Sequence, residues 1–284
     1  MGFMPITQML EKAKNGKYAV GAFNFHNMED SQGILMAAEE EKSPVIFMAS
    51  QGAIQYAGIK YISGLIKSIA ESTALPVVLH LDHGTDYNLI IQCIRNGFTS
   101  VMIDGSKLCF EENIKITKKV VEIAHAFGVC VEAELGRIGG KEDDIHVADK
   151  DATLTNPDTV AEFVERSGAD ALAIAIGTAH GFYKGKPELD FNRLAKIRSL
   201  VDVPLVLHGG TGIPDEDFRK AIELGINKIN VGTELKNTYT STLRNISYEL
   251  ADEIDPRKVL GPARLAIKEV VQKKIKIFGS SNKA

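Results

Sequence analysis

The sequence predicts an α/β fold, a (β/α)8 TIM barrel with additional C-terminal helices. Three observations point there. Short apolar runs alternate with longer amphipathic ones along most of the chain. The apolar runs are too short for helices and carry few charges, as parallel strands covered on both faces do. Several of them stop abruptly at histidines, acids or glycines, which is how barrel strands deliver chemistry to their C-terminal rim.

The expected strands cover residues 19–25, 45–49, 77–81, 100–103, 129–135, 171–176, 205–207 and 228–231, each rich in Val, Ile, Leu or Ala. Helical patterns cover 28–41, 59–71, 87–95, 111–127, 157–167, 191–200 and 216–224. Gly97, Gly128, Gly168 and Gly225 fall just past helix ends, where a left-handed residue stops a helix. Pro44, Pro76 and Pro204 precede strands and end the foregoing segment. These strand–helix units make one catalytic domain over 1–284. Helices at 234–250 and 262–278 extend it over about 234–284 and suit an oligomer contact. An open doubly wound sheet is the alternative. It needs a Gly-rich dinucleotide loop after the first strand, which Gly-Ala-Phe-Asn at 21–24 does not supply. Two long interruptions, 136–156 and 177–189, follow strands and so border the active face.

Composition narrows the function class. With 284 residues, 44% hydrophobic and 25% charged, the chain can bury a large core. A net charge of −4 gives no footprint for nucleic acid or an anionic membrane. No apolar run approaches the roughly 20 residues of a membrane helix. The polar, Lys-containing start does not read as a signal peptide, and Ile6 stands where N-myristoylation requires Ser or Thr. The expected compartment is cytoplasmic. Cys93, Cys109 and Cys130 have no metal or disulfide spacing and are expected to be unreactive small apolar side chains.

His83, His180 and His208 each lie at or just past the end of an expected strand. Three imidazoles with one open position make a catalytic zinc site, in which the ion polarises an oxygen. His80 lies deeper on its strand, as packing or support beneath the site. His26 borders the rim, and His125 and His146 are expected in solvent. Asp82 precedes a proposed ligand. It can move a proton on a substrate hydroxyl or orient a ligand histidine. Asp104, Glu132 and Glu134 end the next two strands, the two glutamates on one face. Asp104 and Glu134 suit either a second metal position or an ion-pair network. Glu142, Asp143 and Asp144 ride the long loop, as a base that swings in on closure or as a solvated charge run.

Gly209-Gly210-Thr211-Gly212 follows the seventh strand, and Asn230-Val231-Gly232-Thr233 follows the eighth and opens a helix. Barrels bind phosphate at this place through backbone N–H groups and a helix N-terminus. Gly181 adds a close backbone approach. Ser50 and Arg257 suit a second phosphate, Arg257 from its own or a neighbouring subunit. These residues describe a metal-dependent barrel acting on a phosphorylated small molecule. Aldol cleavage fits, as does a metal-dependent hydrolase. Schiff-base chemistry through Lys228, inside the eighth strand, is a competing route.

Leu-Asp-His-Gly at 81–84, Val-Glu-Ala-Glu-Leu-Gly at 131–136 and Gly-Gly-Lys-Glu-Asp-Asp at 139–144 occur in one chain. So do Gly-Thr-Ala-His-Gly at 177–181, Leu-His-Gly-Gly-Thr-Gly at 207–212 and Lys-Ile-Asn-Val-Gly-Thr-Glu-Leu at 228–235. Together, and on to Asp-Pro-Arg-Lys at 255–258, they resemble the class II, zinc-dependent ketose-bisphosphate aldolases end to end. The resemblance implies zinc on His83, His180 and His208. It implies Asp82 at the proton of the C4 hydroxyl and Glu142 at the C3 proton. Gly181, Gly209, Gly210, Thr211, Asn230, Val231, Gly232 and Thr233 are then the positions that bind dihydroxyacetone phosphate. Asn24, Ser50 and Arg257 match positions that seat the sugar bisphosphate, Arg257 across a dimer contact. Asp104 and Glu134 match a second, non-essential metal position, and a monovalent cation is also compatible. The implied assembly is a homodimer or homotetramer. Gly-Thr-Ala-His-Gly and Thr-Glu-Leu-Lys-Asn at 233–237 resemble tagatose-type members, so tagatose 1,6-bisphosphate is the expected substrate, with fructose 1,6-bisphosphate the alternative.

Overall fold

The computed structural model describes residues 2–142, 145–148, 152–183 and 185–284, with backbone only at 142, 145 and 146. The chain opens with β1 (Gly2–Phe3), α1 (Ile6–Gly16), β2 (Val20–Asn24), α2 (Met28–Glu41) and β3 (Val45–Ser50). Next come α3 (Gln51–Ala57), α4 (Ile59–Ser72), β4 (Pro76–Gly84), α5 (Tyr87–Arg95), β5 (Ser100–Ile103) and α6 (Phe110–Ala126). The middle holds β6 (Cys130–Leu135), β7 (Gly139–Glu142), β8 (Ile145–Val147), α7 (Pro157–Ser167), β9 (Ala171–Ile174) and β10 (Ala179–His180). The chain ends with α8 (Phe191–Leu200), β11 (Leu205–Leu207), α9 (Asp215–Glu223), β12 (Ile226–Val231), α10 (Thr233–Glu249) and α11 (Pro256–Phe278).

Eight parallel strands pair in the order β2-β3-β4-β5-β6-β9-β11-β12, and β12 returns to β2. This is the expected (β/α)8 barrel with extra C-terminal helices. Strand alternation sends one set of residues inward and the other against the helices. Phe23, Phe47, Leu79, Val101 and Val131 belong to the outer core shared with the helices. Ala22, Ile46, Met48, Val78, Met102 and Val206 form a separate cluster inside the barrel. Higher along the same inward rows stand Asn24, Ser50, Asp82, Glu132, Glu134 and Asn230. The interior is therefore apolar at one end and ionisable at the other.

The apolar end is closed by α1, for which no helix was expected. Its Ile6, Met9, Leu10 and Ala13 are buried and pack into the inner cluster. Their spacing is one face of a helix, legible in the sequence once residues 1–18 are read as part of the fold. The loop 136–156 also carries structure. β7 and β8 form an antiparallel pair, and β10 joins β7 in parallel. This three-stranded flap lies apart from the barrel sheet.

The last helix begins at Pro256, six residues before the expected start, and holds Pro262 within it. Asp255 caps it by accepting from Arg257 N, so the helix nucleates upstream of Pro262 and forgoes one bond there. It packs against α2 where Gly33 leaves no room: a Cβ there would stand 2.6 Å from Arg264 O. Beyond α11, Asn282 N and Ala284 N donate to Glu41 O and Lys42 O, which ties the C-terminus to α2. Among the described residues no helix is long and apolar enough to cross a membrane.

Candidate active site

The rim of the barrel gathers His83, His180 and His208, from β4, β10 and the residue after β11. Asp82 and His83 are neighbours, so in a regular strand they would point to opposite faces. A register shift between Leu81 and Gly84 against β5 inserts one extra residue, the signature of a β-bulge. His83 takes φ +47°, a left-handed conformation unfavourable for a residue with a Cβ. The bulge lets both side chains reach the same site.

His83 Nε2 lies 3.2 Å from His180 Nε2 and 2.9 Å from His208 Nδ1. Zinc–nitrogen bonds of about 2.0–2.1 Å in a tetrahedral site place donor nitrogens about 3.3 Å apart, so this cluster fits one such ion. On two of the three rings the other nitrogen points at an acid. His83 Nδ1 meets Asp104 Oδ2 at 3.1 Å, and His208 Nε2 meets Glu132 Oε1 at 2.9 Å. Such partners fix the tautomer and leave the inner nitrogen as the donor. Burial disfavours charge on His83, but the Asp104 hydrogen bond and the charges of Asp82, Asp104 and Glu134 outweigh it and hold this imidazole well above its ordinary pKa. Burial and the His83 charge push His180 and His208 well below theirs. Of the three imidazoles, His83 is the one whose charged form the neighbouring acids favour.

Asp82 is 1% exposed. Asn24 Nδ2 donates to its Oδ2 at 2.9 Å and Asn230 Nδ2 to its Oδ1 at 3.1 Å. Burial pushes this carboxyl up. His83, His208 and Lys228, with the Asn24 hydrogen bond, pull it down further, so it stays ionised. The amide oxygens of Asn24 and Asn230 are buried with no partner among the described residues and can accept from a ligand hydroxyl.

Beneath the rim, Lys228 Nζ donates to Glu132 Oε2 at 2.8 Å, both side chains being 1% exposed or less. The expected inward Glu132 is thus paired. Lys228 is tied up as the cationic partner of a buried carboxylate, which disfavours its use as a Schiff-base amine. His80 is fully buried, with Nδ1 2.8 Å from Ser100 Oγ and Nε2 3.7 Å from Glu132 Oε2. Burial, then Lys228, keeps it neutral.

Asp104 and Glu134 share His83 as a second group with metal-ligand spacing. Burial pushes Asp104 up, but the hydrogen bond and charge of His83, with Ser106, hold it well below the usual carboxylate range. Burial, then the Asp104 charge, pushes Glu134 well above that range.

The Gly209–Gly212 turn packs tightly against its neighbours. Gly209 has φ +69°, and a Cβ on it would stand 2.4 Å from Ala179 O. Gly210 N donates to Asn230 O at 3.0 Å, and Thr211 Oγ1 accepts from Glu234 N at 3.1 Å. Gly232 precedes α10 as its N-cap and offers no side-chain cap, so the N-terminus of this 17-residue helix faces the turn with Val231 and Thr233 beside it. Gly181, at φ +90°, follows His180.

Ser50 pairs in register with Asp82, and its Oγ caps α3 by accepting from Ala53 N at 3.2 Å. Arg257 is not drawn into this cluster. Its side chain is 88% exposed and bonds Asp255. Glu142 ends β7, but its side chain, like that of His146, lies outside the described residues, as do Asp143 and Asp144 entirely. His26 stands at the rim bonded to Asp30, and His125 is half-exposed and meets Asp170 at 2.9 Å. Cys93 and Cys130 are buried as expected, whereas Cys109 is exposed, because it precedes α6 at the start of that helix. Tyr183, which the sequence did not single out, accepts from Ala179 N at 2.9 Å and donates to Gly209 O at 3.0 Å.

The family model described as fructose-bisphosphate aldolase class-II matches residues 4–283 of this chain. A fructose-bisphosphate aldolase from Geobacillus stearothermophilus is 50% identical over 287 residues, covering 100% of this chain and 99% of its own. One from Thermus caldophilus is 48% identical over 300 residues, covering 98% of each. Among solved structures, the YdjI aldolase from Escherichia coli K12 has a TM-score of 0.88 at 39% identity, covering 99% of both chains.

Proposed function

The chain belongs to the class II fructose-bisphosphate aldolase family of metal-dependent aldehyde-lyases, and on that premise we propose that it reversibly cleaves a ketose 1,6-bisphosphate to dihydroxyacetone phosphate and glyceraldehyde 3-phosphate. The observation that carries this reading is a clamped, ionised Asp82 beside three convergent imidazoles. Bound by His83, His180 and His208, Zn²⁺ supplies a Lewis acid for the ketone oxygen.

The chain's own groups perform the remaining tasks. Asp82 takes the proton of the C4 hydroxyl as the C3–C4 bond breaks, and the aldehyde leaves. The electron pair of that bond stays with the three-carbon ketone half, and Glu142 is assigned the proton that C3 then gains. Asn24 and Asn230 hold Asp82 with both oxygens engaged, which fixes its aim as a base. Gly181, Gly209 to Thr211 and Asn230 to Thr233 bind the phosphate of the ketone half. Ser50 and Arg257 of the partner subunit take the second phosphate. Exposure of Arg257, with Tyr248 at 87% and Ile254 at 94% nearby in the chain, supports an assembly of two or more copies. Asp104 and Glu134 offer a second, dispensable cation position.

The sugar is fructose 1,6-bisphosphate in this reading, because the relatives that match end to end are named for it. These relatives do not support the expected tagatose preference. Gly232 has no side chain with which to read the C4 hydroxyl, so discrimination falls to neighbouring groups. Steady-state kcat/KM for fructose and tagatose 1,6-bisphosphate, with the stereochemistry of the condensation product, tests this. A higher kcat/KM for fructose 1,6-bisphosphate is expected. A preference for tagatose would overturn the sugar assignment, and release of inorganic phosphate without trioses would replace the aldolase by a hydrolase.

A further inference from the structure

We infer that Tyr183 is a positioning residue whose hydroxyl holds the segments carrying His180 and His208 at the separation that metal binding requires. The inference rests on reading those histidines as metal ligands.

His180 sits on β10, a strand of only two residues. One side of β10 pairs with β7, Ala179 opposite Gly139 and His180 opposite Gly140. That neighbour belongs to the flap and not to the barrel. On the other side Tyr183 makes the connection. Its Oη accepts from Ala179 N at 2.9 Å and donates to Gly209 O at 3.0 Å. Ala179 immediately precedes one ligand and Gly209 immediately follows another. One phenol oxygen therefore spans both ligand segments and uses its single donor proton to do so.

The ring supports the same contact. It lies along the glycine turn, with Cδ2 3.5 Å from where a Cβ on Gly212 would stand. Burial pushes the phenol up to about 12, against the hydrogen bond from Ala179, so the donor proton is kept throughout the neutral range. A rigid ring with a bonded hydroxyl fixes a distance that a flexible side chain would leave loose. The turn it grips is also the proposed phosphate turn, so the hydroxyl couples metal geometry to phosphate seating.

The test is Tyr183→Phe in the full-length chain, which keeps the ring and deletes the bridging oxygen. Zinc affinity is measured by competition with a chromophoric chelator, and the metal-site geometry by the visible absorption of the Co²⁺-loaded protein without substrate. Loss of an outer hydrogen bond that orients metal ligands typically weakens binding about 10–100-fold. The expectation here is about tenfold, with altered Co²⁺ bands and a raised KM for the bisphosphate. Tyr61→Phe, at a position 80% exposed, is the control and should bind as wild type. Thermal unfolding of the metal-free proteins separates a loosened site from a damaged fold. Zinc affinity within twofold of wild type and an unchanged Co²⁺ spectrum would overturn the inference. Failure of the wild-type chain to bind zinc stoichiometrically would remove the metal-site reading beneath it.

Discussion

Replacing Lys228 by Met tests the buried network that supports the site. Lys228 Nζ lies 2.8 Å from Glu132 Oε2, and the two side chains are 0% and 1% exposed. Methionine preserves most of the volume but leaves Glu132 with two histidines and no lysine, His208 Nε2 at 2.9 Å and His80 Nε2 at 3.7 Å. Breaking a buried ion pair from one side leaves an uncompensated charge, with a cost of about 3–5 kcal/mol. Water cannot reach this carboxylate, so that full range applies rather than the ~0–1 kcal/mol of a surface pair. Adding Glu132→Gln removes the charge while keeping an oxygen for His208, and the double variant should recover more than half of the loss. The coupling in the cycle should be at least about 2 kcal/mol. The chain has no tryptophan, so urea unfolding of the metal-free proteins is best followed by far-ultraviolet circular dichroism. A loss below about 1 kcal/mol for Lys228→Met, or no rescue in the double variant, would show that the carboxylate is not held by this pair.

Other outcomes follow from the same geometry. Asp82→Ala should lower turnover by about 10²–10⁴-fold, the usual range for a lost proton-transfer group, with zinc stoichiometry unchanged; near-normal turnover would refute its role. Leu10→Ala, in the helix that closes the barrel, should destabilise the fold by about 2–5 kcal/mol because Leu10 is fully buried; an effect under about 0.5 kcal/mol would mean that α1 is not part of the core. Burial raises the Cys93 thiol from 9.0 to about 12. At pH 8 a thiol reagent should therefore label Cys109 quickly and Cys93 only on unfolding, and equal rates would contradict the burial. Between those two pKa values the folded state keeps a proton that the unfolded chain has released. The Cys93 contribution to stability thus falls as pH rises from 9 toward 12, read as a falling urea midpoint relative to Cys93→Ala.

The barrel was legible because its strands are short, apolar and regularly spaced by helices, a pattern that burial on both faces imposes. The rim was legible because ionisable residues such as Asp82, Asp104 and His208 interrupt those strands where an apolar residue would otherwise continue. What could not be read needed three-dimensional pairing. The bulge that turns Asp82 and His83 to one site leaves no mark in composition. The Lys228 to Glu132 contact joins residues 96 apart in sequence. The flap strand β7 depends on Gly140, where a Cβ would stand 2.1 Å from His180 O, a demand set by a partner in another loop. Tyr183 was missed for the same reason. By contrast α1 was missed although Ile6, Met9, Leu10 and Ala13 follow the helical period in plain view. Pro262 misled because it looked like a start when Asp255 had already capped the helix.

The most direct test is triose formation from fructose 1,6-bisphosphate by the full-length protein before chelation, after chelation and after return of Zn²⁺. Zinc-dependent aldol cleavage gives one dihydroxyacetone phosphate and one glyceraldehyde 3-phosphate per bisphosphate consumed, is lost on chelation and recovers with zinc. That recovery should disappear in His208→Ala. Chelator-resistant cleavage, or full zinc-dependent activity in His208→Ala, would contradict it.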